Sequence, residues 1–167
     1  MDKEKRLKVA VAMSGGVDSS VSAALLKEAG FDVVGVFMKF WHPDNSKGEN
    51  RCCSAESEKR ARTVCHKLNI PFYVINMEKE FKKKVVDYFI AEYKAGRTPN
   101  PCVVCNYEIK FGLLIEKALK MEAKYIATGH YARISNDKLL KGIDKNKDQS
   151  YFLWKLSQKQ LSRVLFP

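Results

Sequence analysis

The chain has 167 residues, 46% hydrophobic and 29% charged, enough for one domain with an apolar core. No apolar run is long enough to cross a bilayer, and the charged stretch Met1 to Arg6 does not read as a secretory signal, so the expected compartment is cytoplasmic. Thirty Lys and Arg against nineteen Asp and Glu give a formal charge of +11, which suits a polyanionic partner such as RNA and equally a Lys-rich solvated surface.

Leu7 to Met13 (LKVAVAM) is short, apolar and Val-rich, as a buried parallel strand reads, and Gly15-Gly16 breaks it. Val17 to Ala29 predicts a helix with Val17, Val21, Ala24 and Leu25 on one face and Gly30 as its stop. Asp32 to Met38 predicts a second buried strand. Lys39 to Cys53, with Pro43 and Gly48, reads as a long loop. Ser54, Ser57 and Glu58 open a helix carrying Ala61, Val64, Cys65 and Leu68, and Pro71 to Asn76 predicts a third strand. Glu78 to Lys94 predicts a helix, with Phe81, Val85, Phe89 and Tyr93 at four-residue spacing and Gly96 after it. Arg97 to Cys105 contains two prolines and reads as a loop. Asn106 to Lys120 predicts a helix with Phe111, Leu114, Ile115 and Ala118 facing in, and Lys124 to Thr128 a fourth strand. The remainder is shorter and less regular, and Ser157 to Phe166 reads as a further helix.

Strands alternating with helices of this length imply an α/β domain, a parallel sheet flanked by helices, spanning 1–167 without a linker or repeat. Ligands of such sheets bind beyond the carboxyl ends of the strands, where strand order reverses. Ser14 to Ser20 (SGGVDSS) lies between the first strand and the first helix. Two glycines let backbone N–H groups approach an anion, and the helix start adds free donors and a partial positive charge. Ser14, Ser19 and Ser20 offer hydroxyl donors to phosphate oxygens. Asp18 fits beside an anion if it holds Mg²⁺ or orders the loop. The spacing matches neither the kinase-type phosphate loop nor the dinucleotide fingerprint.

Of the five cysteines, Cys52, Cys53, Cys65, Cys102 and Cys105, only Cys102 and Cys105 form a C-x-x-C pair. A disulfide framework does not suit a cytosolic chain. Cys65 lies on the apolar face of a helix and reads as core. His42 and His66 read as surface or helix residues. Cys105, at the expected loop-to-helix junction with Lys110 nearby in sequence, sits where thiolates are favoured.

The SGGVDSS loop closely resembles that of the PP-loop ATP pyrophosphatases, an adenine-nucleotide alpha hydrolase-like, Rossmann-like group that cleaves ATP between the α and β phosphates and adenylates an oxygen. Five further segments narrow the resemblance: Phe37-Met38-Lys39 with Cys52-Cys53-Ser54; Gly96 to Asn106 (GRTPNPCVVCN); Ile109 to Gly112 (IKFG); Ala127 to Arg133 (ATGHYAR); and Lys147 to Leu153 (KDQSYFL). In this order they resemble the bacterial tRNA-specific 2-thiouridylases, the MnmA family, over nearly the whole chain. The resemblance implies ATP-dependent 2-thiolation of the wobble uridine of tRNA, by adenylation of the uridine C2 oxygen and sulfur transfer from a cysteine persulfide. It implies ATP and Mg²⁺ as cofactors, and tRNA and a persulfide-donating sulfur-relay protein as partners. Position by position, Ala12, Met13, Ser14, Gly15, Gly16, Val17, Asp18 and Ser19 match the phosphate loop, and Met38 and Gly129 match contacts to the nucleoside of ATP. Cys105 matches the catalytic cysteine, with Asp18 in the catalytic set. Asn100, Pro101 and Cys102 match the segment that meets the target base, and His130, Lys147, Asp148 and Gln149 match tRNA contacts.

Two departures stand out. Many members of that family carry Asp where this chain has Cys102. The resulting pair leaves open a redox disulfide or ligation of a metal or iron–sulfur cluster, for which a further ligand is needed. Members of the family also continue past Pro167, with a second cysteine as persulfide carrier and with central and β-barrel domains. The expectation is therefore a PP-loop domain alone, and an isolated ATP- and tRNA-binding module is one alternative to the full activity. Another PP-loop enzyme, such as a GMP-synthetase-like amidotransferase, is a second, but it gives no reason for the Cys102/Cys105 pair.

Overall fold

The computed structural model describes residues 6–43 and 54–167. Most of the expected loop Lys39 to Cys53, including Cys52 and Cys53, lies outside them. Five strands form one parallel sheet: β1 (Lys8–Ala12), β2 (Asp32–Lys39), β3 (Phe72–Asn76), β4 (Tyr125–Ala127) and β7 (Val164–Leu165), in the order β3–β2–β1–β4–β7. Between β4 and β7, β5 (Ala132–Ser135) and β6 (Lys138–Lys141) pair as an antiparallel hairpin. Its two turn residues, Asn136 and Asp137, have φ of 49° and 58°, the left-handed pair that suits a tight hairpin.

Successive residues of β1 point to opposite faces. Val9, Val11 and Met13 pack with Ala23, Leu26, Ala61 and Cys65 under helices α1 (Val17–Glu28) and α2 (Ala55–Lys67). Ala10 and Ala12 pack on the other face with Val85, Ile109, Phe111, Leu114 and Ala118. Both faces are thus covered, which is why the strands read as continuous apolar runs. Cys65 is core as expected. Its sulfur fills the space that a Cβ on Gly35 would enter at 2.4 Å, and burial pushes its thiol up to about 11.

Four expectations need correction. The inward face of α1 is Ser19, Ser22, Ala23 and Leu26, while Val17, Val21 and Leu25 are exposed. The predicted helix Glu78 to Lys94 is α3 (Glu78–Phe81), a π-helical stretch Lys82–Val86, and α4 (Asp87–Lys94). Phe81 and Val85 reach the core, but beyond the π stretch Phe89 and Tyr93 are exposed, as expected when one extra residue per turn rotates the face. Pro101–Cys105 is not a loop but a helical turn, α5, running on through a π-helical stretch Asn106–Leu113 into α6 (Leu114–Lys120). Finally, Ser157 to Phe166 makes only the short helix α7 (Gln158–Leu161), after which Val164 and Leu165 add to the sheet beside Ile126 and Ala127.

Candidate functional site

β2 lies on one side of β1 and β4 on the other, so strand order reverses at β1 and a crevice opens at its carboxyl end. Ser14 to Ser19 fills it from one side and Thr128 to Tyr131 from the other. Gly129 is pressed so closely on the loop that a Cβ there would lie 2.6 Å from the Asp18 carbonyl carbon and 2.7 Å from the Ser19 nitrogen.

The loop holds its own shape. The Ser14 N–H donates to Ser19 Oγ at 3.2 Å, Ser19 Oγ donates to the Gly16 carbonyl at 3.1 Å, and the Gly16 N–H donates to Ser14 Oγ at 3.3 Å. Ser20 Oγ also donates to the Gly16 carbonyl, at 2.8 Å. The Ser19 and Ser20 hydroxyls thus shape the turn rather than point outward. What the loop offers an anion is backbone N–H: α1 starts at Val17 after Gly16, with no side-chain cap, leaving first-turn donors and the helix dipole for a ligand. Gly15 has φ +76°, and a Cβ there would lie 2.3 Å from the Ser57 carbonyl oxygen. α2 therefore abuts the loop. Ser54 caps α2 by accepting from the Ser57 N–H at 3.1 Å, and Arg60 on the next turn donates to the Gly15 carbonyl at 3.1 Å and to Ser57 Oγ at 3.1 Å. Nothing in the spacing of the sequence marks Arg60 as part of the loop's support.

Asp18 is exposed at the mouth of the crevice. Its Oδ1 accepts from the Tyr131 hydroxyl at 3.1 Å, a bond that raises the Tyr131 phenol above its usual range. A Mg²⁺ accompanying ATP is held mainly by phosphates and waters plus one or two carboxylates. Asp18, one exposed carboxylate at the loop, fits that demand. Met38, at the carboxyl end of β2, is buried beside Met77.

Cys105 is buried in α5 and Cys102 is exposed one turn earlier. Asn100 is the cap of this helix, accepting from the Val103 N–H at 3.2 Å, and Pro101 follows at the first turn, the combination that starts helices. The expected junction thus falls at Asn100–Pro101 rather than at Cys105. Downstream, the π stretch leaves backbone carbonyls off the α-helical ladder. Gln160 Nε2 donates to two of them, Tyr107 at 3.0 Å and Phe111 at 2.9 Å. The buried Asn106 donates to the Phe152 carbonyl at 3.0 Å, while its Oδ1 has no protein partner.

The remaining candidates converge on the same place. His130 hydrogen-bonds Thr128 Oγ1 through Nδ1 at 2.8 Å and packs in a three-ring cluster with Phe111 and Phe166, at 5.8 and 6.2 Å, the two phenyl rings being 6.1 Å from each other. Burial, with a smaller contribution from the Lys110 charge, pushes it down to about 3, so it is neutral near pH 7 and brings no charge to an RNA phosphate. Gln149 Oε1 accepts from the Tyr131 N–H at 3.0 Å and the Gln149 N–H donates to the Tyr131 carbonyl at 2.9 Å. Asp148 accepts from the Gly142 N–H at 2.7 Å, the first cause of its lowered pKa, and from Ser150. The side chains of Asp148 and Gln149 therefore brace their loop, and Lys147 is the exposed cation of the three.

A family model described as the tRNA methyl transferase HUP domain matches residues 7–167. The chain is 54% identical to a tRNA-specific 2-thiouridylase MnmA of Staphylococcus saprophyticus, the match covering 98% of this chain and 45% of that protein. It is 53% identical to the protein of the same name from Bacillus licheniformis, over 96% of this chain and 44% of that one. The chain thus spans less than half the length of these relatives. Among solved structures, a predicted tRNA methyltransferase subunit from Methanocaldococcus jannaschii superposes with a TM-score of 0.53 at 19% identity, over 96% of this chain and 67% of that one. That likeness is one of fold.

Proposed function

The chain belongs to the tRNA methyl transferase HUP domain family, and from that premise we propose that it binds Mg-ATP in the β1–α1 loop and takes part in ATP-dependent 2-thiolation of the wobble uridine of tRNA. The observation that carries this reading is the uncapped start of α1, turned at the switch point of the sheet toward a crevice that Gly129 and Asp18 close from opposite sides. The names of the relatives quoted above supply the acceptor. The uridine C2 oxygen attacks the α-phosphorus and pyrophosphate leaves. The terminal sulfur of a cysteine persulfide then attacks C2, and AMP leaves with the former uridine oxygen. A thiol, the role proposed for Cys105, attacks the persulfide's inner sulfur and takes over the sulfur–sulfur bond as a disulfide, while the delivered sulfur stays on the base. Free N–H groups at the start of α1 stabilise the charge developing on the phosphates, and Mg²⁺ held at Asp18 would supply further charge neutralisation there. Asn100 to Cys102 and Lys147 are proposed to face the RNA, and a persulfide-donating protein is the proposed source of sulfur.

An iron–sulfur cluster is not supported by the donors in place. Cys102 and Cys105 supply two thiols, and among the described residues no group of three His, Cys, Asp or Glu is gathered as metal ligands.

Calorimetry with Mg-ATP tests the phosphate-loop assignment. Asp18→Ala and Ser14→Ala each lower affinity, the second by unhooking the Gly16 N–H. Unchanged affinity in both variants removes the assignment.

A further inference from the structure

Tyr131 touches two segments that the sequence places far apart. Its hydroxyl donates to Asp18 on the phosphate loop, and its backbone N–H and carbonyl are both hydrogen-bonded to Gln149. Gln149 follows Asp148, whose carboxylate fixes the surrounding turn through Gly142 and Ser150. The two bonds to Gln149 hold Tyr131 in place at its backbone. Tyr131 is exposed at 38%, so its ring is not there to fill the core. Next to it, Gly129 presses on the backbone of Asp18 and Ser19. A displacement of the 147–149 segment therefore has a path to Asp18 through hydrogen bonds at both ends of Tyr131.

We propose that Tyr131 is a positioning residue: it fixes the Asp18 carboxylate with Oδ2 left for a cation, and it makes Mg-ATP affinity depend on RNA held at Lys147–Gln149. This rests on the phosphate-loop reading above. A phenol bonded to one carboxylate oxygen selects one rotamer of Asp18, so the ordering cost is met before Mg-ATP arrives. Coupling of this kind is reciprocal: whatever RNA adds to nucleotide affinity, nucleotide adds to RNA affinity.

The test is calorimetric titration of Mg-ATP into the wild-type chain, Tyr131→Phe, Asp18→Asn and the double variant, with and without unfractionated tRNA. Tyr131→Phe is expected to weaken Mg-ATP binding about fivefold, the lower end of ordinary coupling between sites. The same change in the Asp18→Asn background is expected to cost nothing further. Added tRNA tightens Mg-ATP binding in the wild type and in neither single variant. Wild-type affinity in Tyr131→Phe, or losses that multiply in the double variant, overturn the proposal while the phosphate-loop reading stands. A wild type that binds no Mg-ATP overturns both. Circular dichroism reports whether Tyr131→Phe folds. If it does not, Asp18→Asn decides alone, because a tRNA enhancement retained without that carboxylate also overturns the link.

Discussion

The phosphate loop sits at the carboxyl end of β1 and the cysteine helix packs on one face of the same sheet, yet they are stabilised in opposite ways. The turn of Ser14 to Ser20 is shaped mainly by bonds between residues five or fewer apart in sequence, with Arg60 and Tyr131 adding one bond each to Gly15 and Asp18. The helix from Pro101 to Lys120 is locally irregular, and its π stretch is held from 49 and 53 residues away by Gln160. One motif carries most of its turn in its own letters and is braced from outside, while the π stretch takes side-chain bonds from near the far end of the chain. Short-range hydrogen bonds make a site recognisable in a sequence, and long-range ones make it dependent on the whole fold.

The contrast can be broken in order of expected effect. Gly15→Ala combines a left-handed φ with a Cβ 2.3 Å from the Ser57 carbonyl oxygen, and is expected to cost about 3 kcal/mol, lowering the melting temperature on the order of 10 °C. A melting point within about 2 °C of wild type would mean that the loop is not seated on α2. Gln160→Ala removes the side-chain donor to the Tyr107 and Phe111 carbonyls and is expected to cost about 2 kcal/mol by urea unfolding. It should also raise hydrogen exchange along 106–113 before the phosphate loop changes. Equal exchange in both regions would erase the distinction between them. Ser54→Ala removes the cap of α2 and is expected to cost about 1 kcal/mol, with a measurable loss of Mg-ATP affinity because Arg60 and Ser57 follow on that helix.

The last effect is nearly silent at neutral pH. His130 folds with its pKa depressed by burial to about 3, against about 6.5 for an ordinary histidine, so the unfolded chain takes up a proton that the folded chain refuses. The stabilisation is complete above about pH 6.5 and is lost progressively as pH falls toward 3. His130→Asn, which keeps a partner for Thr128, should flatten that part of the unfolding profile. A variant that retains the full wild-type slope would show that carboxylates alone produce it.

Legibility followed the same division. Strands β1 to β4, the SGGVDSS loop and the α2 cap are short-range patterns, and the structure has them close to where the sequence places them; β7, expected as part of a helix, is the exception. The inward face of α1 went the other way. Val17, Val21 and Leu25 make the more apolar row, but Ser19 must point into the loop to bond Gly16, and a helix pinned at Ser19 buries Ser22, Ala23 and Leu26 with it. The start at Pro101 was available in Asn100-Pro101, a cap followed by a first-turn proline. Two prolines in one segment suggested a loop instead. The hairpin was available in Asn136-Asp137. Arg60, Tyr131 and Gln160 carry no such mark, because each acts on residues 45 or more positions away.

The strand order has a consequence for the nascent chain. β1 is made early, and β2 and β3 can pair beside it once Asn76 has left the ribosome. Its other edge takes its partner only with Tyr125 to Ala127, and that strand in turn takes Val164 and Leu165. During the synthesis of everything between, Val9 to Val11 present unpaired backbone and apolar side chains together, the state in which strands recruit the wrong neighbour. Slowing translation before residue 125 should therefore lengthen the time during which this chain needs a chaperone.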